Sequence, residues 1–347
     1  MHSVNTLKNK NSGQIELQPL LLSNRNKIAF LFFTLILLAV ISLFVGSKPI
    51  PADVILNTLI FSHDHVDGII ILESRVPRTL AGIFAGMALG AAGVLTQSLT
   101  RNNLAEPGIF GINAGASFTI LLGFLIFGSL SLSMRFGLGI LGAFVTTGFV
   151  YFIGCYGSKR ITGLRYILAG IAVASLFTGL SSGLALLNPT SFDYMRFWYA
   201  GTIDIRSSET ILFAIPLFVS GAIVTLLLAR SLNALALGDE LATSLGSNTK
   251  ITTGYTIVAI TVLAGTATAL TGPIAFVGLM IPFVARKFIG QDHRWLLPAA
   301  MLMAPILLLF ADMLGRVLVQ GEMRTSIITA LLGGPLLIVL ARRTKLS

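Results

Sequence analysis

The chain has 347 residues, 54% hydrophobic and only 11% charged, with a mean hydropathy of +0.87. A soluble domain carries about 25% charged residues, so this composition excludes a soluble enzyme, a secreted disulfide scaffold and a disordered chain, and implies an all-α, multi-pass membrane protein. The net charge of +10 reads as basic loops that set topology, with no nucleic-acid surface implied, and the single Cys155 forms neither an intrachain disulfide nor a metal cluster.

Residues 1–27 are polar and basic and read as a cytoplasmic amino-terminal tail ahead of an uncharged run at 28–46, too long for a cleaved signal core. Further spans are predicted over 79–99, 108–134, 136–157, 166–187 and 211–229, with two more over 295–311 and 325–341. The stretch 251–285 is 35 residues without a charge. One helix of that length would be about 52 Å long against a hydrocarbon core of about 30 Å, so Thr271-Gly272-Pro273 is read as a break between two short spans. Ten spans result, forming a membrane domain over 28–342 with a tail at 343–347. With both termini inside, sixteen of the 24 Lys and Arg fall on the cytoplasmic side and eight on the outer side, the expected bias.

In chain order, the first notable loop feature is His63-Asp64-His65, read as solvated because three adjacent residues seldom converge on one ion. Arg75 and Arg78 flank Pro77 where the second span begins on the outer side, and Arg316 closes the ninth span on that side. Gly82, Gly86, Gly90 and Gly93 form a small-residue face on the second span, read first as tight packing within one bundle and second as a homodimer motif. The outer segment 188–206 clusters Phe192, Tyr194, Phe197, Trp198 and Tyr199; it reads first as an interfacial aromatic belt, and second as a gate formed by Phe197, Trp198 and Tyr199. The longest cytoplasmic connection between spans, 231–250, contains Leu237-Gly238-Asp239-Glu240-Leu241 and, further on, Leu245-Gly246. This predicts a short amphipathic helix between two glycines, with its acidic residues at the favourable end of the helix dipole. Asp292-His293-Arg294 at an inner turn reads as a helix cap.

No predicted span has an ionisable residue at its middle; Glu106 and Asp312 lie near helix ends. That disfavours an ion-coupled secondary transporter, which places such groups at membrane depth. No G-x-x-x-x-G-K-[ST] phosphate loop occurs, so ATP hydrolysis would belong to a partner. No catalytic residue, metal site or cofactor is predicted.

The segments 75–117, 187–206, 237–246, 272–298, 311–318 and 321–335 resemble, in unbroken order, the signature of the FecCD family, permease subunits of bacterial ABC importers for iron–siderophore complexes, haem and vitamin B12. The similarity is strongest to the ferric catecholate branch, with a haem or vitamin B12 importer as the alternative. The resemblance implies a ten-helix fold in the bacterial inner membrane and a second permease subunit, homologous or identical. It also implies two ATP-binding cassette ATPases and a periplasmic siderophore-binding protein delivering a ferric siderophore. It assigns Arg75, Arg78 and Arg316 to docking of that binding protein, and Leu237, Gly238, Asp239, Glu240, Leu241, Leu245 and Gly246 to coupling with the ATPase. Two positions depart from the family pattern: Asn103 where a proline is usual, and Phe283 where a histidine is common.

Overall fold

A computed structural model describes residues 23–46, 48–61, 66–155, 163–205, 208–318 and 322–344, and every regular element among them is helical. His63-Asp64-His65 and the tail residues 1–22 and 345–347 lie outside the described residues.

Helix α1 (Asn24–Phe44) is followed by α2 (Ala52–Phe61) and α3 (Val66–Ile70), which continues through a π turn at Ile71–Arg75 into α4 (Val76–Thr100). A 3₁₀ turn at Pro107–Phe110 leads to α5 (Ile112–Phe127), then α6 (Leu132–Cys155), α7 (Gly163–Leu186) and α8 (Pro189–Tyr199). The chain continues with α9 (Ser208–Ala236), the short α10 (Asp239–Ser244), α11 (Thr249–Thr271), α12 (Val277–Ile289), α13 (His293–Leu318) and α14 (Thr325–Thr344). Among the described residues seven helices are long and apolar enough to cross a membrane, and Ile112–Phe127 (α5) and Thr325–Ile338 of α14 are shorter apolar helices.

The predicted spans fall on α1, α4, α5, α6, α7, α9, α11, α12, α13 and α14, with two differences of extent. The second runs unbroken from Val66 for 35 residues, because the π turn absorbs Pro77 at the start of α4 without ending the helix. The third shrinks to 16 helical residues, because Pro107 opens a 3₁₀ turn and Gly111 takes a φ of +74°.

The break in 251–285 stands where it was expected. Gly272 ends α11 at a φ of +73°, and a Cβ there would sit 2.7 Å from the Trp198 carbonyl oxygen. Residues 272–276 are non-helical, and Phe276 begins α12 in the left-handed region. The Phe276 N–H is tied to the Glu106 carboxylate, which joins this break to the α4–α5 connection.

Helix α4 is the buried axis of the bundle, packed against α13 and α11. Its glycines explain the close approach. A Cβ on Gly86 would lie 2.5 Å from Pro305 Cα, one on Gly90 2.4 Å from the Ala300 oxygen, and one on Gly93 2.1 Å from the Gly278 oxygen. In lipid, where apolar burial offers no drive between helices, such backbone contact is how helices gain packing energy.

Candidate functional site

Two polar constellations stand at opposite ends of the bundle. At the outer end, as the basic-residue bias orients the chain, Asp312 on α13 is fully buried and accepts from three donors. Arg78 on α4 reaches its two oxygens through Nε at 3.1 and 3.0 Å and through Nη2 at 2.9 Å. Arg316, one turn along α13, donates to it through Nε at 2.8 Å and also through Nη2. Thr325 at the start of α14 donates at 3.0 Å. The second fork of Arg78 reaches Glu322 and, at 3.4 Å, Asp204, both about 30% exposed. A planar guanidinium with divergent donors suits one residue holding three carboxylates.

The same arginines finish α1, whose last carbonyls have no partner within the helix. Arg316 Nη1 donates to the oxygens of Ser42 and Val45 at 2.9 and 2.8 Å, and Arg75 Nη1 to those of Leu43 and Phe44 at 2.7 and 3.3 Å. Arg75, Arg78 and Arg316 are 4–6% exposed. The structure thus brings together the three arginines singled out in the sequence, and places their guanidiniums beneath the surface, bonded within the chain. Their carboxylate partners Asp204, Asp312 and Glu322 lie within the segments 187–206, 311–318 and 321–335 that carry the family resemblance, but beyond opposite charge nothing in those segments marks them as partners of the arginines.

Beside this cluster, residues 189–199 form α8. Asn188 caps it by accepting from the N–H groups of Thr190 and Ser191, and Pro189 occupies its first turn. That Asn-Pro pair is the sequence signal for this helix, beside the aromatic residues it carries. Trp198 turns inward, while Phe197 and Tyr199 are about half exposed. Arg324 Nη1 donates to the Phe197 oxygen at 2.7 Å, and its guanidinium stands 5.3 Å from the Phe197 ring centre.

At the opposite end, the predicted amphipathic helix is α10. Gly238 precedes it with a φ of +106° and Gly246 follows with +80°. Leu237, Leu241 and Leu245 are each more than half exposed, so the short segment presents an apolar stripe outward with Ala242 turned into the bundle. Asp239 pairs with Arg101 at 2.6 Å, and Arg101 also donates to the Leu235 oxygen. Because Arg101 ends α4, α10 is joined to the central helix. Glu240 lies in the first turn of the same helix.

Nearby, Asn233 on α9 accepts at Oδ1 from the N–H and the Nδ1–H of His293 at 2.9 and 2.7 Å, and donates through Nδ2 to Asp292 at 2.7 Å. His293 Nε2 lies 2.6 Å from the Ser98 hydroxyl of α4. Asp292 caps α13 by accepting from the Arg294 N–H at 3.0 Å; this bond and the Asn233 amide hold its carboxyl below the usual carboxylate range. The departures from the family pattern have ordinary settings: Asn103 is exposed in a turn, and the Lys287 ammonium stands 4.4 Å from the Phe283 ring centre.

Among the described residues no group of three or more His, Cys, Asp or Glu is placed to hold a metal ion. The described residues thus form a charge-locked cluster at one end of the bundle, a central helix, and an exposed apolar stripe at the opposite end.

Comparison with known proteins bears on that arrangement. The FecCD transport family matches residues 34–343. The chain is 49% identical over 314 residues to the ferric enterobactin transport system permease protein FepD of Escherichia coli (strain K12), covering 90% of this chain and 94% of the relative. It is 35% identical to the iron(3+)-hydroxamate import system permease protein FhuB of Bacillus subtilis (strain 168), covering 80% and 72%. A solved chain assigned to the metal-chelate type of ABC transporter, in an inward-facing conformation, superimposes with a TM-score of 0.80 at 30% identity, over 92% of this chain and 99% of the other.

Proposed function

Because the chain belongs to the FecCD transport family, we propose that it is the permease subunit of a binding-protein-dependent ABC importer whose cargo is a ferric catecholate siderophore, ferric enterobactin or a close chemical relative. The observation that carries this is the 49% identity with the enterobactin permease across 90% of the chain.

On this reading the chain lies in the bacterial inner membrane with ten spans and both termini in the cytoplasm. It pairs with a second permease subunit, homologous or identical, above two ATPases. Leu237, Leu241 and Leu245 supply the apolar contact with the ATPase, and Asp239, through Arg101, passes its movement to α4. Gly238 and Gly246 set the path of the chain around that contact, and Glu240 in the first turn favours the helix through its dipole. Closure of the ATPases would then rock the helix bundle from outward to inward access.

The periplasmic siderophore-binding protein docks on the end that holds Arg75, Arg78 and Arg316. What supports this is their common place at the outer end, where the buried Arg78 holds Asp204 and Glu322 at its rim while Arg75 and Arg316 fasten the end of α1 beneath them. Phe197, Trp198 and Tyr199 stand at the same mouth as the gate. Hydrolysis of ATP belongs to the partner ATPases, because the chain lacks a phosphate loop.

The test is uptake of radiolabelled ferric enterobactin by cells whose own permease is deleted and replaced by this chain, together with its partner subunits. Uptake is expected to persist when the proton gradient is dissipated with ATP maintained, and to stop when ATP is depleted. Uptake that follows the gradient and ignores ATP overturns the reading.

A further inference from the structure

A cavity of about 370 Å³ opens at the outer end between the start of α6, α8 and the end of α11. Its walls include the rings of Tyr194, Phe197 and Trp198, and the charged groups of Arg135, Asp204 and Arg324. Two of those charges are engaged: Asp204 pairs with Arg78, and Arg324 is bonded to the Phe197 carbonyl and lies against its ring. Arg135 is different. Arg135, a residue of intermediate exposure, has no ion pair or side-chain hydrogen bond among the described residues. A cation beside aromatic walls with no partner among the described residues keeps its donors free for a ligand. It is a good recognition device for a flat group that carries negative charge, because a guanidinium both stacks on rings and donates as a fork to paired oxygens.

We infer that this cavity is a subsite for one catecholate arm of the incoming ferric chelate, with Arg135 donating to the iron-bound phenolate oxygens and the ring held among Tyr194, Phe197 and Trp198. Ligand pockets span about 300–1,000 Å³, so the volume suits a single aryl arm and not a whole tris-catecholate. A ferric tris-catecholate is an anion edged by aromatic rings. A ferric trihydroxamate is neutral and has no ring to offer, so the subsite discriminates by charge and by shape together. The inference rests on the importer reading above and deepens it: it gives the outer mouth a first contact that senses cargo chemistry.

The test uses the chain's own fluorescence. It contains two tryptophans, so Trp295→Phe leaves Trp198, in the cavity wall, as the sole indole. The full-length variant in lipid nanodiscs is titrated with ferric enterobactin, whose absorption quenches a nearby indole, and with a neutral ferric trihydroxamate. Saturable quenching is expected with the catecholate only, weakened about tenfold by Arg135→Ala, as for loss of one charge-assisted contact, and partly restored by Arg135→Lys. Ferric chelate uptake by the assembled importer is measured in parallel. Uptake of ferric enterobactin, with quenching that is absent, unmoved by Arg135→Ala or equal for the hydroxamate, overturns the subsite and leaves the importer reading standing. No uptake of any ferric chelate by the assembled importer overturns both.

Discussion

Arg78 and Asp312 are 234 positions apart in the chain, yet they meet through both carboxylate oxygens at 2.9–3.1 Å in a setting from which water is shut out. The pair joins α4 to α13, and Arg316 and Thr325 extend it to the end of α1 and the start of α14. A buried charge cluster of this kind adds little over a well-packed apolar core, but it is costly to break on one side, because the remaining charge stays buried without compensation.

Asp312→Asn and Arg78→Ala are therefore each expected to lower stability by about 3–5 kcal/mol, read as a fall in the thermal unfolding temperature of the purified permease and in its folded yield. Arg78→Lys is expected to recover only part of the loss, since an ammonium cannot hold two carboxylates as a fork. A stability of Arg78→Ala within about 0.5 kcal/mol of the parent would show that the cluster is not holding the outer end together.

The glycine face of α4 predicts a second outcome. Gly93→Ala and Gly90→Ala place a methyl group against backbone carbonyl oxygens, which cannot rotate away, so each is expected to cost about 1–3 kcal/mol. Gly254→Ala on α11 is the control: its added methyl group meets nothing within 4 Å and its φ lies outside the left-handed range, so stability should hold or rise slightly. Equal effects at all three positions would remove the close-packing explanation.

For the inner end, Leu241→Asp separates folding from coupling. Leu241 is 57% exposed, so the change should move stability by no more than about 0.5 kcal/mol. Co-purification of the partner ATPase and cargo uptake are both expected to fall. Gly246→Val should reach the same end by another route, through backbone strain at a φ of +80° that a β-branched residue resists. Normal ATPase recovery and normal uptake in both variants would free α10 from the coupling role.

Much of this architecture was legible from local chemistry. An uncharged run of twenty residues has few alternatives to a helix in lipid, so the helices fall where the apolar stretches lie. Gly272 and Pro273 interrupt the longest run because neither favours a continuing helix. Gly238 and Gly246 bracket α10 for the same local reason, since their positive φ values suit a residue without a Cβ. Even α8 had its signal, in the Asn188-Pro189 cap.

The role of the outer arginines was decided elsewhere. In sequence, Arg75, Arg78 and Arg316 look like cations at helix ends, and nothing within ten residues of Arg78 reveals that Asp312, Glu322 and Asp204 will close around it. The same holds for His293, whose partners Ser98 and Asn233 come from other helices. Helix formation depends on residues three or four positions apart, so composition and spacing determine it. Whether a charge faces water or another charge depends on which helices pack together. In this protein that was set by how closely the glycine face of α4 lets α13 approach, a property of the assembled bundle alone.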